Sequence, residues 1–562
     1  MDKLFILLFI VALLGGILLI GQIMEKQKEN NFRKRLIREF SKPMENSYSR
    51  ERMQAMPGYY KRHNEGCFVI DDITWNDLGL DSFYKKYNHS YSSVGDEYYY
   101  YKLRVPALNQ EFGEFERLDR YSDIFENDEK LRTDLQVALA KLGRSGKFSL
   151  YDYLEFLSDV KKDIPVLTIL DWLVYIGIVV LMFFAFYPAL VLMIVWIIAN
   201  VLAYLFRKKK IEPYFYSFEY ILRMLQTANT VIKLLPDDFA DAKNELKEAK
   251  KKLSGISSGN LVFLQSNTSS AIGDIGNGLM NFVNMFFHTD IFLFFRMKEQ
   301  VENHIPDVDT IFETLGMLDF AINIASYRKT LPYYTIPEFS DDCSISTKDM
   351  IHPLLYDKGV SNSIDVNGGI LLTGSNASGK STFLRMIGIN AILAQSIHTV
   401  YAKEYRADLF AVYSSMSLKD DMEAGESYYM AEIRSIKRIL EAVENPDLKV
   451  LCFVDEVLRG TNTKERIAAG CEIMRYMQKP GNICFAATHD IELAHMLPPL
   501  YTNYHFDEEI KDDDINFPYQ LKESYATTRN AIALLILMGY PEEITDNAID
   551  IMNKQYDRKI YG

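Results

Sequence analysis

Two long runs of apolar residues dominate the hydrophobic pattern of this chain. The first, Leu4–Met24, contains no charged residue and has the length of about 20 residues that a helix needs to cross a bilayer. Basic residues follow it at Lys26, Lys28 and Arg33–Arg35, so the positive-inside rule places the rest of the chain in the cytoplasm. We therefore predict a transmembrane anchor at residues 1–24, in preference to a cleaved signal peptide, whose apolar region is shorter.

The second run, residues 172–206, also lacks charge but is too long for one ordinary span. Its pattern predicts two helices that meet at Tyr187-Pro188, because proline ends or kinks a helix. Both flanks are basic, at Lys161-Lys162 and at Arg207–Lys210, so both ends should stay on the cytoplasmic side. We predict a transmembrane hairpin; a single long tilted helix is the alternative. The pattern leaves open whether the hairpin crosses the bilayer or enters one leaflet.

The polar segments between and after these runs have mostly helical periodicity. Residues 25–65 are dense in charge and predict a juxtamembrane helix. Residues 66–165 predict the first half of a helical core, after a short β-like start at Cys67–Ile73. Residues 207–345 predict the second half of this core. The chain before residue 350 should therefore be a mostly α-helical core domain with transmembrane helices.

At Gly369 the pattern changes to a short apolar strand, a Gly/Ser loop and a long helix. The loop, Gly374–Ser381, fits G-x-x-x-x-G-K-[ST] with the strand before it and the helix after it that the motif requires. In such a loop the backbone N–H groups and the helix N-terminus hold phosphates, Lys380 reaches the β- and γ-phosphates, and Ser381 binds Mg²⁺. The predicted ATP-binding residues are Gly374, Ser375, Asn376, Ala377, Ser378, Gly379, Lys380, Ser381 and Thr382.

Two further apolar strands end in polar residues that suit the same chemistry. One ends in Asp455-Glu456, where Asp455 can bind Mg²⁺ through water and Glu456 can polarise the attacking water. The next ends at His489, which is placed to sense the γ-phosphate. Residues 350–518 therefore predict an α/β P-loop NTPase domain with an ABC-type ATPase core. Its predicted catalytic residues are Lys380, Glu456 and His489, and its predicted metal ligands are Ser381 and Asp455.

Composition and charge narrow the classes of protein to which the chain can belong. The chain has 562 residues, 48% of them hydrophobic, and a mean hydropathy of -0.09 that excludes a polytopic transporter. Its net charge of -14 argues against a surface coated with basic residues, although a local basic face is compatible with it. The five cysteines are widely spaced and include no C-x-x-C pair, so the sequence indicates neither a disulfide framework nor a zinc ribbon.

The residues and the order of these motifs resemble those of the ATPase domain of the MutS family of mismatch-repair proteins. Asp455–Thr463 resembles the family's DE-x-x-RGT-x-T stretch, and Thr488–Leu493 resembles its TH-x-x-EL motif. Glu426–Glu432 is similar to the STFM-x-E segment, whose serine in the family reaches the nucleotide of the partner subunit. The resemblance therefore implies that Ser427 contacts ATP in trans. Residues 519–562 resemble the helical segment through which the family forms dimers.

The resemblance implies ATP and Mg²⁺ as cofactors, a homodimer, and ATP-dependent DNA binding of the mismatch-repair type. Two departures bear on function: we find no mismatch-reading domain with a Phe-x-Glu wedge, and the hairpin interrupts the helical core. Phe112–Glu114 matches the wedge only by letter. An inactive relic is disfavoured, because every phosphate-handling residue type is present. Two functions stay open: a membrane-anchored MutS-like ATPase that acts on DNA, and an ATP-driven membrane machine or scaffold that acts on a protein partner. In both, the lipid bilayer is a partner and the ATPase domain faces the cytoplasm.

Overall fold

A computed structural model of the chain divides into two compact units. Unit 1 comprises residues 1–65, 87–101 and 117–329, and unit 2 comprises residues 66–86, 102–116 and 330–562. The predicted segment 66–165 thus contributes to both. The structure describes residues 2–44, 48–109, 112–146, 148–158, 165–211, 214–255, 284–374, 378–416, 428–459, 461–506, 509–511, 514–525, 532, 535–536 and 538–560.

The helices in chain order are α1 Asp2–Glu39, α2 Arg50–Ala55, α3 Pro57–His63, α4 Asp72–Asp77, α5 Leu80–Tyr87, α6 Ser93–Arg104, α7 Gly113–Asn127, α8 Glu129–Leu142, α9 Leu150–Ser158, α10 Pro165–Met182, α11 Phe186–Ile211, α12 Phe215–Leu234, α13 Ala240–Lys252, α14 Thr289–Asn303, α15 Ile305–Thr330, α16 Lys380–Ile397, α17 Tyr428–Val443, α18 Thr463–Met477, α19 Ile491–Met496 and α20 Glu542–Ile560. The strands are β1 Glu338–Phe339, β2 Ile345–Met350, β3 Asn362–Val366, β4 Gly369–Thr373, β5 Glu404–Ala407, β6 Ala411–Ser415, β7 Val450–Asp455, β8 Ile483–Ala487, β9 Tyr501–Phe506, β10 Glu509–Lys511, β11 Asp514–Asn516 and β12 Leu521–Glu523.

Unit 1 is helical, and its core is organised around α15. Almost every residue of α15 from Asp307 to Arg328 is buried, as expected for a helix that other helices surround on all sides. Gly316 lets Tyr98 approach closely, because a Cβ at this position would lie only 2.7 Å from the Tyr98 side chain. The ring of Phe312 stacks on Tyr59 with 4.9 Å between centroids. These contacts explain why the predicted helical core forms from segments far apart in the sequence.

Helices α10 and α11 of unit 1 pack against each other and expose apolar side chains. Among the described residues, α11 is the one helix whose length and composition would allow it to cross a membrane, and α10 contributes a shorter apolar stretch, Asp171–Met182. Residues 2–24 of the anchor predicted at residues 1–24 lie within α1, but residue 1 and the side chains of residues 2–14 and 17–18 lie outside the described part of the chain. Exposed apolar side chains of the pair include Leu173, Ile176, Val180, Val191, Ile194, Val195, Ile198 and Leu202.

The break between the two apolar helices differs from the sequence prediction. The helical pattern is interrupted after Met182 and resumes at Phe186, so the predicted junction at Tyr187-Pro188 is wrong. Pro188 lies instead in the first turn of α11, where a residue without an N–H group costs no helical hydrogen bond. The proline therefore marks a helix start and does not mark the turn itself.

Polar residues gather where these helices meet α14. Asp171 lies 3.7 Å from Arg207 and 3.5 Å from His288, measured between side-chain nitrogen and oxygen atoms. The Tyr204 hydroxyl donates to Asp290 at 2.8 Å. Ionisable groups among apolar helices are costly unless they pair in this way. The pairing ties α10, α11 and the start of α14 together.

Unit 2 is an α/β domain built on a six-stranded sheet in the order β12-β9-β4-β8-β7-β6. Neighbouring strands from β9 to β6 are parallel, and β12 runs antiparallel at the edge. The central strands β4 and β8 are fully buried, which explains their uninterrupted apolar sequence. A second sheet has the order β1-β5-β2-β3.

Two further local predictions are wrong. Cys67–Ile73 is not β-like: Asp71 accepts a hydrogen bond from the backbone N–H of Thr74 at 2.8 Å and so caps α4, which begins at Asp72. The C-terminal segment 519–562 is not helical throughout, because β12 pairs with β9 and extends the main sheet. The helix predicted in this segment is α20.

Candidate functional site

The carboxyl ends of three neighbouring strands, β4, β8 and β7, form the floor of the candidate site. β8 lies between the other two. Just beyond it, the backbone N–H of Thr488 donates to the carbonyl of Leu372 at 2.9 Å. The N–H of Glu456 donates to the carbonyl of Ala487, also at 2.9 Å. The chain segments that leave the three strands are therefore bonded to one another.

The loop after β4 turns at two glycines. Gly374 has φ 134° and Gly379 has φ 100°, values that a residue with a side chain adopts only under strain. Gly379 caps the N-terminus of α16, so the unpaired N–H groups of the first helical turn face the loop. Ser375, Asn376 and Ala377 lie outside the described residues. The two glycine conformations explain why the motif requires glycine at these positions.

The lysine and serine that follow Gly379 connect the loop to β7. Lys380 is buried, and its Nζ donates to the carbonyl oxygen of Gly374 at 2.8 Å. The Ser381 hydroxyl donates to a carboxylate oxygen of Asp455. Burial raises the pKa of Asp455, although the Ser381 hydrogen bond opposes this effect. Two oxygen atoms suited to Mg²⁺ therefore lie side by side next to a buried ammonium group.

Glu456 is engaged on both carboxylate oxygens. One lies 3.0 Å from Nε2 of His489, and the other is ion-paired with Arg459. The hydrogen bond from His489, together with Arg459, holds the pKa of Glu456 below its usual range. Glu456 also has φ 61°, so its backbone adopts the left-handed conformation that a side chain disfavours. The side chain is thus kept ionised in a fixed position next to Asp455.

An ion pair fixes the segment that carries His489. Arg466 of α18 donates two hydrogen bonds, of 2.9 and 2.7 Å, to the carboxylate of Asp490. On the other side of the histidine, the Thr488 hydroxyl accepts from the Asp490 N–H at 3.0 Å. Sequence reasoning missed Arg466, since nothing in its local sequence signals a partner 24 residues away.

A cavity of about 390 Å³ lies beside the start of α16. This volume falls in the range of small-molecule sites. Burial, the main cause, lowers the pKa of His352 to about 4, so its ring is neutral at ordinary pH. The lining of the cavity suits a nucleotide, because it joins residues of the phosphate-binding motif to other polar and aromatic residues. The motif residues are Gly379, Lys380, Ser381 and Thr382, and the others include His352, Asn362, Phe506 and Tyr519.

Asn362 of β3 fastens the wall of this cavity. Its amide nitrogen donates to the carbonyl of Tyr519 at 3.1 Å, and its amide oxygen accepts from the Leu521 N–H at 2.8 Å. Tyr519 in turn covers Gly379, where an added Cβ would lie 2.9 Å from the ring. Sequence reasoning missed Asn362 and Tyr519, because they are separated by more than 150 residues.

The predicted trans residue Ser427 lies outside the described residues, but the strand that leads to it is well anchored. Asp77 of α4 accepts hydrogen bonds from the Ser414 hydroxyl and from the Met416 N–H, both at 2.8 Å. The Thr74 hydroxyl accepts from the Ser414 N–H at 3.1 Å. Segment 66–86 therefore fixes the end of β6, immediately before the segment that contains Ser427.

The structure brings most predicted site residues together in unit 2. Those outside the described residues are Ser375, Asn376, Ala377 and Ser427. Those that line the cavity or meet at the strand ends are Gly374, Ser378, Gly379, Lys380, Ser381, Thr382, Asp455, Glu456 and His489.

Comparison with known proteins places this site in a family. The profile of MutS domain V matches residues 370–555. The human protein named MutS protein homolog 4 is 31% identical over 261 residues, which cover 43% of this chain and 27% of that protein. The DNA mismatch repair protein MutS of Acetivibrio thermocellus is 27% identical over 281 residues, covering 48% of this chain and 32% of that protein. The same-named protein of Thermotoga maritima is 27% identical over 273 residues, covering 47% and 34%.

Unit 2 therefore contains a P-loop ATPase-type α/β domain, and the matched part of it is a MutS domain V. Residues 370–555 therefore match a domain of the MutS family, and this part of the chain is similar to MutS proteins. The alignments span about a third or less of the length of these relatives.

The opposite pKa shifts of the two adjacent carboxylates predict opposite effects of neutral substitutions on stability. Asp455 has a raised pKa, so its ionised form destabilises the folded protein above that pKa, and Asp455→Asn should raise the melting temperature at pH 7.5 by about 2 °C. This gain should shrink as the pH falls. Glu456 has a lowered pKa, so Glu456→Gln should lower the melting temperature at pH 7.5 by a similar amount. In acid, the melting temperature of Glu456→Gln should approach that of the unsubstituted protein.

Both variants should be melted by calorimetry without nucleotide and with a chelator, from pH 4.5 to 7.5. If the melting temperatures of the two variants shift in the same direction at pH 7.5, this would contradict the environments assigned to Asp455 and Glu456.

Proposed function

We propose that this chain binds Mg-ATP and hydrolyses it at the ends of β4, β7 and β8. The observation that carries the proposal is the meeting of Lys380, Ser381, Asp455, Glu456 and His489 at one edge of a parallel sheet, beside a cavity of nucleotide size. Lys380 neutralises the β- and γ-phosphates, and the first turn of α16 donates N–H groups to them. The cavity wall of His352 and Tyr519 receives the base.

Ser381 and Asp455 would hold Mg²⁺ in this proposal, and the bound ion would supply positive charge next to the phosphates. Their side chains already touch, so the two groups that would hold the ion lie next to each other. Glu456 orients and polarises the attacking water. His489 fixes Glu456 by its 3.0 Å contact and adds a polar group next to the γ-phosphate.

The first test is ATP turnover by the detergent-solubilised protein. Glu456→Gln should bind ATP normally but lower kcat by at least about 100-fold, because it loses the carboxylate that acts on water. Lys380→Ala should lose ATP binding itself, since a phosphate contact is removed. Binding is measured with a fluorescent ATP analogue and turnover by phosphate release. Normal turnover by Glu456→Gln would remove Glu456 from the mechanism.

We propose further that two copies pair around ATP, with Ser427 of each copy reaching the nucleotide of the other. The family resemblance of segment 426–432 supports this. Sedimentation experiments that test this pairing should use the ATP-bound Glu456→Gln protein, because it keeps its nucleotide.

The purpose of the ATP cycle is proposed to be ATP-dependent DNA binding of the mismatch-repair type. Support comes from the relatives named DNA mismatch repair protein MutS. The competing function is that of an ATP-driven membrane machine acting on a protein partner, and the exposed apolar surface of α10 and α11 favours it.

Duplex DNA should stimulate ATP hydrolysis if the first function holds, and the stimulation should fade as salt rises, because phosphate contacts release counterions. The measurement compares turnover without DNA, with homoduplex and with mismatched duplex at several salt concentrations. Turnover that is indifferent to DNA at every salt concentration would favour the protein-partner function.

We also propose that the chain is a membrane protein whose ATPase domain faces the cytoplasm, with the α10–α11 hairpin in the lipid bilayer. The tip of the hairpin is aromatic and strongly exposed: Phe183 and Phe184 are each 85% accessible and Tyr187 is 80% accessible. Arg207–Lys210 follow at the other end of α11. Aromatic and basic residues at opposite ends of an apolar hairpin suit entry from the basic side.

A fluorophore at the hairpin tip tests the membrane proposal. With Cys67→Ser to remove the exposed native thiol, Phe184→Cys labelled with a polarity-sensitive dye should shift to shorter emission wavelength in vesicles. Lipids with nitroxides at known chain depths should quench it, and the best quencher gives the depth of the tip. The matched control is Ile336→Cys in unit 2, where Ile336 is also exposed, at 42%, and lies outside the lining of the nucleotide cavity. Equal emission at both sites would contradict membrane insertion.

A further inference from the structure

A second cavity, of about 360 Å³, lies in unit 1 between α12 and α13. Four of its lining residues are lysines: Lys233, Lys247, Lys250 and Lys251. Its remaining lining residues are Asn229, Ile232 and Ser254, so no carboxylate lines it among the described residues. In a chain with a net charge of -14, four ammonium groups around one concavity form a distinct local feature.

The helix geometry concentrates these charges. Lys247, Lys250 and Lys251 share one face of α13, at spacings of three and four residues, and lie within about 6 Å along the helix axis. Lys233 comes from the last turn of α12. Lys250 is oriented by a hydrogen bond to the amide oxygen of Asn229. Like charges at these spacings repel, so the cluster carries a free-energy cost that a bound anion would remove.

Other lysines of α13 are neutralised within the protein. Lys243 donates to Asp237 at 3.1 Å, and Lys252 donates to Asp307 at 2.9 Å. For Lys233, Lys247 and Lys251, the described part of the chain supplies no ion pair. The same helix therefore has two kinds of lysine, those with a carboxylate partner and those that face the cavity.

We propose that this cavity binds a small soluble anion that carries two or three linked phosphate groups. Ammonium groups bind phosphate oxygens through charge-assisted hydrogen bonds, and the volume suits a small ligand. Free polyphosphate and the phosphate tail of a nucleotide share this chemistry. The site is separate from the P-loop cavity, which lies in unit 2.

Two observations favour a small anion over a larger polyanion. The exposed carboxylates of Asp237 and Asp238 precede α13, and Asp307 pairs with its last lysine, so acidic groups bound the basic patch at both ends. A duplex backbone, which needs an extended basic track, would meet them. Lys233 also lies about 27 Å along α12 from Phe215, where this helix begins after the hairpin. With the hairpin in the bilayer as proposed and α12 directed away from it, that length exceeds the Debye length of about 8 Å at physiological salt, which argues against lipid headgroups.

Titration calorimetry with tripolyphosphate tests the proposal on the full-length protein. The experiment uses the Lys380→Ala background, so that the P-loop cannot contribute binding. One site per chain is expected. Lys247→Gln together with Lys251→Gln should weaken binding at least about tenfold, since two charge-assisted contacts are removed. The matched control, Lys243→Gln together with Lys252→Gln, removes the same charge from the same helix and should leave the affinity within about twofold.

Titration with ATP and ADP in the same background then distinguishes the two sources of the phosphate groups. Either source supports the site, provided that the cavity variant loses binding and the control variant keeps it. Absence of tripolyphosphate binding would overturn the proposal, as would equal weakening in the two double variants. Binding of duplex DNA or anionic vesicles that depends on Lys247 and Lys251, without competition by tripolyphosphate, would also overturn it. Circular dichroism of each variant verifies that α13 is intact.

Discussion

The candidate site depends on one constraint, the parallel register of β4, β8 and β7. In this register Ala487 of β8 is opposite both Leu372 of β4 and Asp455 of β7, so all three strands end at the same level. Successive side chains of a strand alternate between the two faces of a sheet, and a slip of one residue would turn Asp455 away from Ser381. The glycine loop, the acidic pair and the histidine each come from a different part of the chain, and the sheet ladder alone gives them a common edge.

The part of the site that the sequence predicts is the part encoded in short contiguous stretches. Lys380 and Ser381 follow a glycine loop between a strand and a helix, and the required backbone conformations are local properties of Gly374 and Gly379. His489 follows a buried strand in the same way. Asn362 and Tyr519 have no such signal, because their bond exists only after β3 and the C-terminal segment have come together. The position of the hairpin turn was predicted wrongly for a related reason. A proline within an apolar run can start a helix as readily as end one.

Asp455 and Glu456 show how position separates two chemically similar neighbours. Burial makes the ionised form of Asp455 costly, whereas His489 and Arg459 stabilise the ionised form of Glu456. The change of direction occurs at the end of β7, where Glu456 adopts a left-handed backbone conformation and leaves the plane of the strand. A strand that continued regularly would have placed Glu456 on the face of the sheet opposite Asp455. The left-handed backbone at Glu456 departs from this pattern, and the side chain contacts His489 and Arg459.

The distribution of charge along the α10–α11 hairpin has an electrical consequence. Asp171, Arg207 and His288 gather at one end of the helix pair, and the sequence between Asp171 and Arg207 contains no charged residue. A hairpin of this kind in a bilayer moves no charge through the transmembrane field when it enters or leaves. A membrane potential does work only on charges that move along it, about 2.3 kcal/mol per charge at 100 mV. Insertion of this hairpin would therefore be equally favourable in an energised and in a depolarised cell.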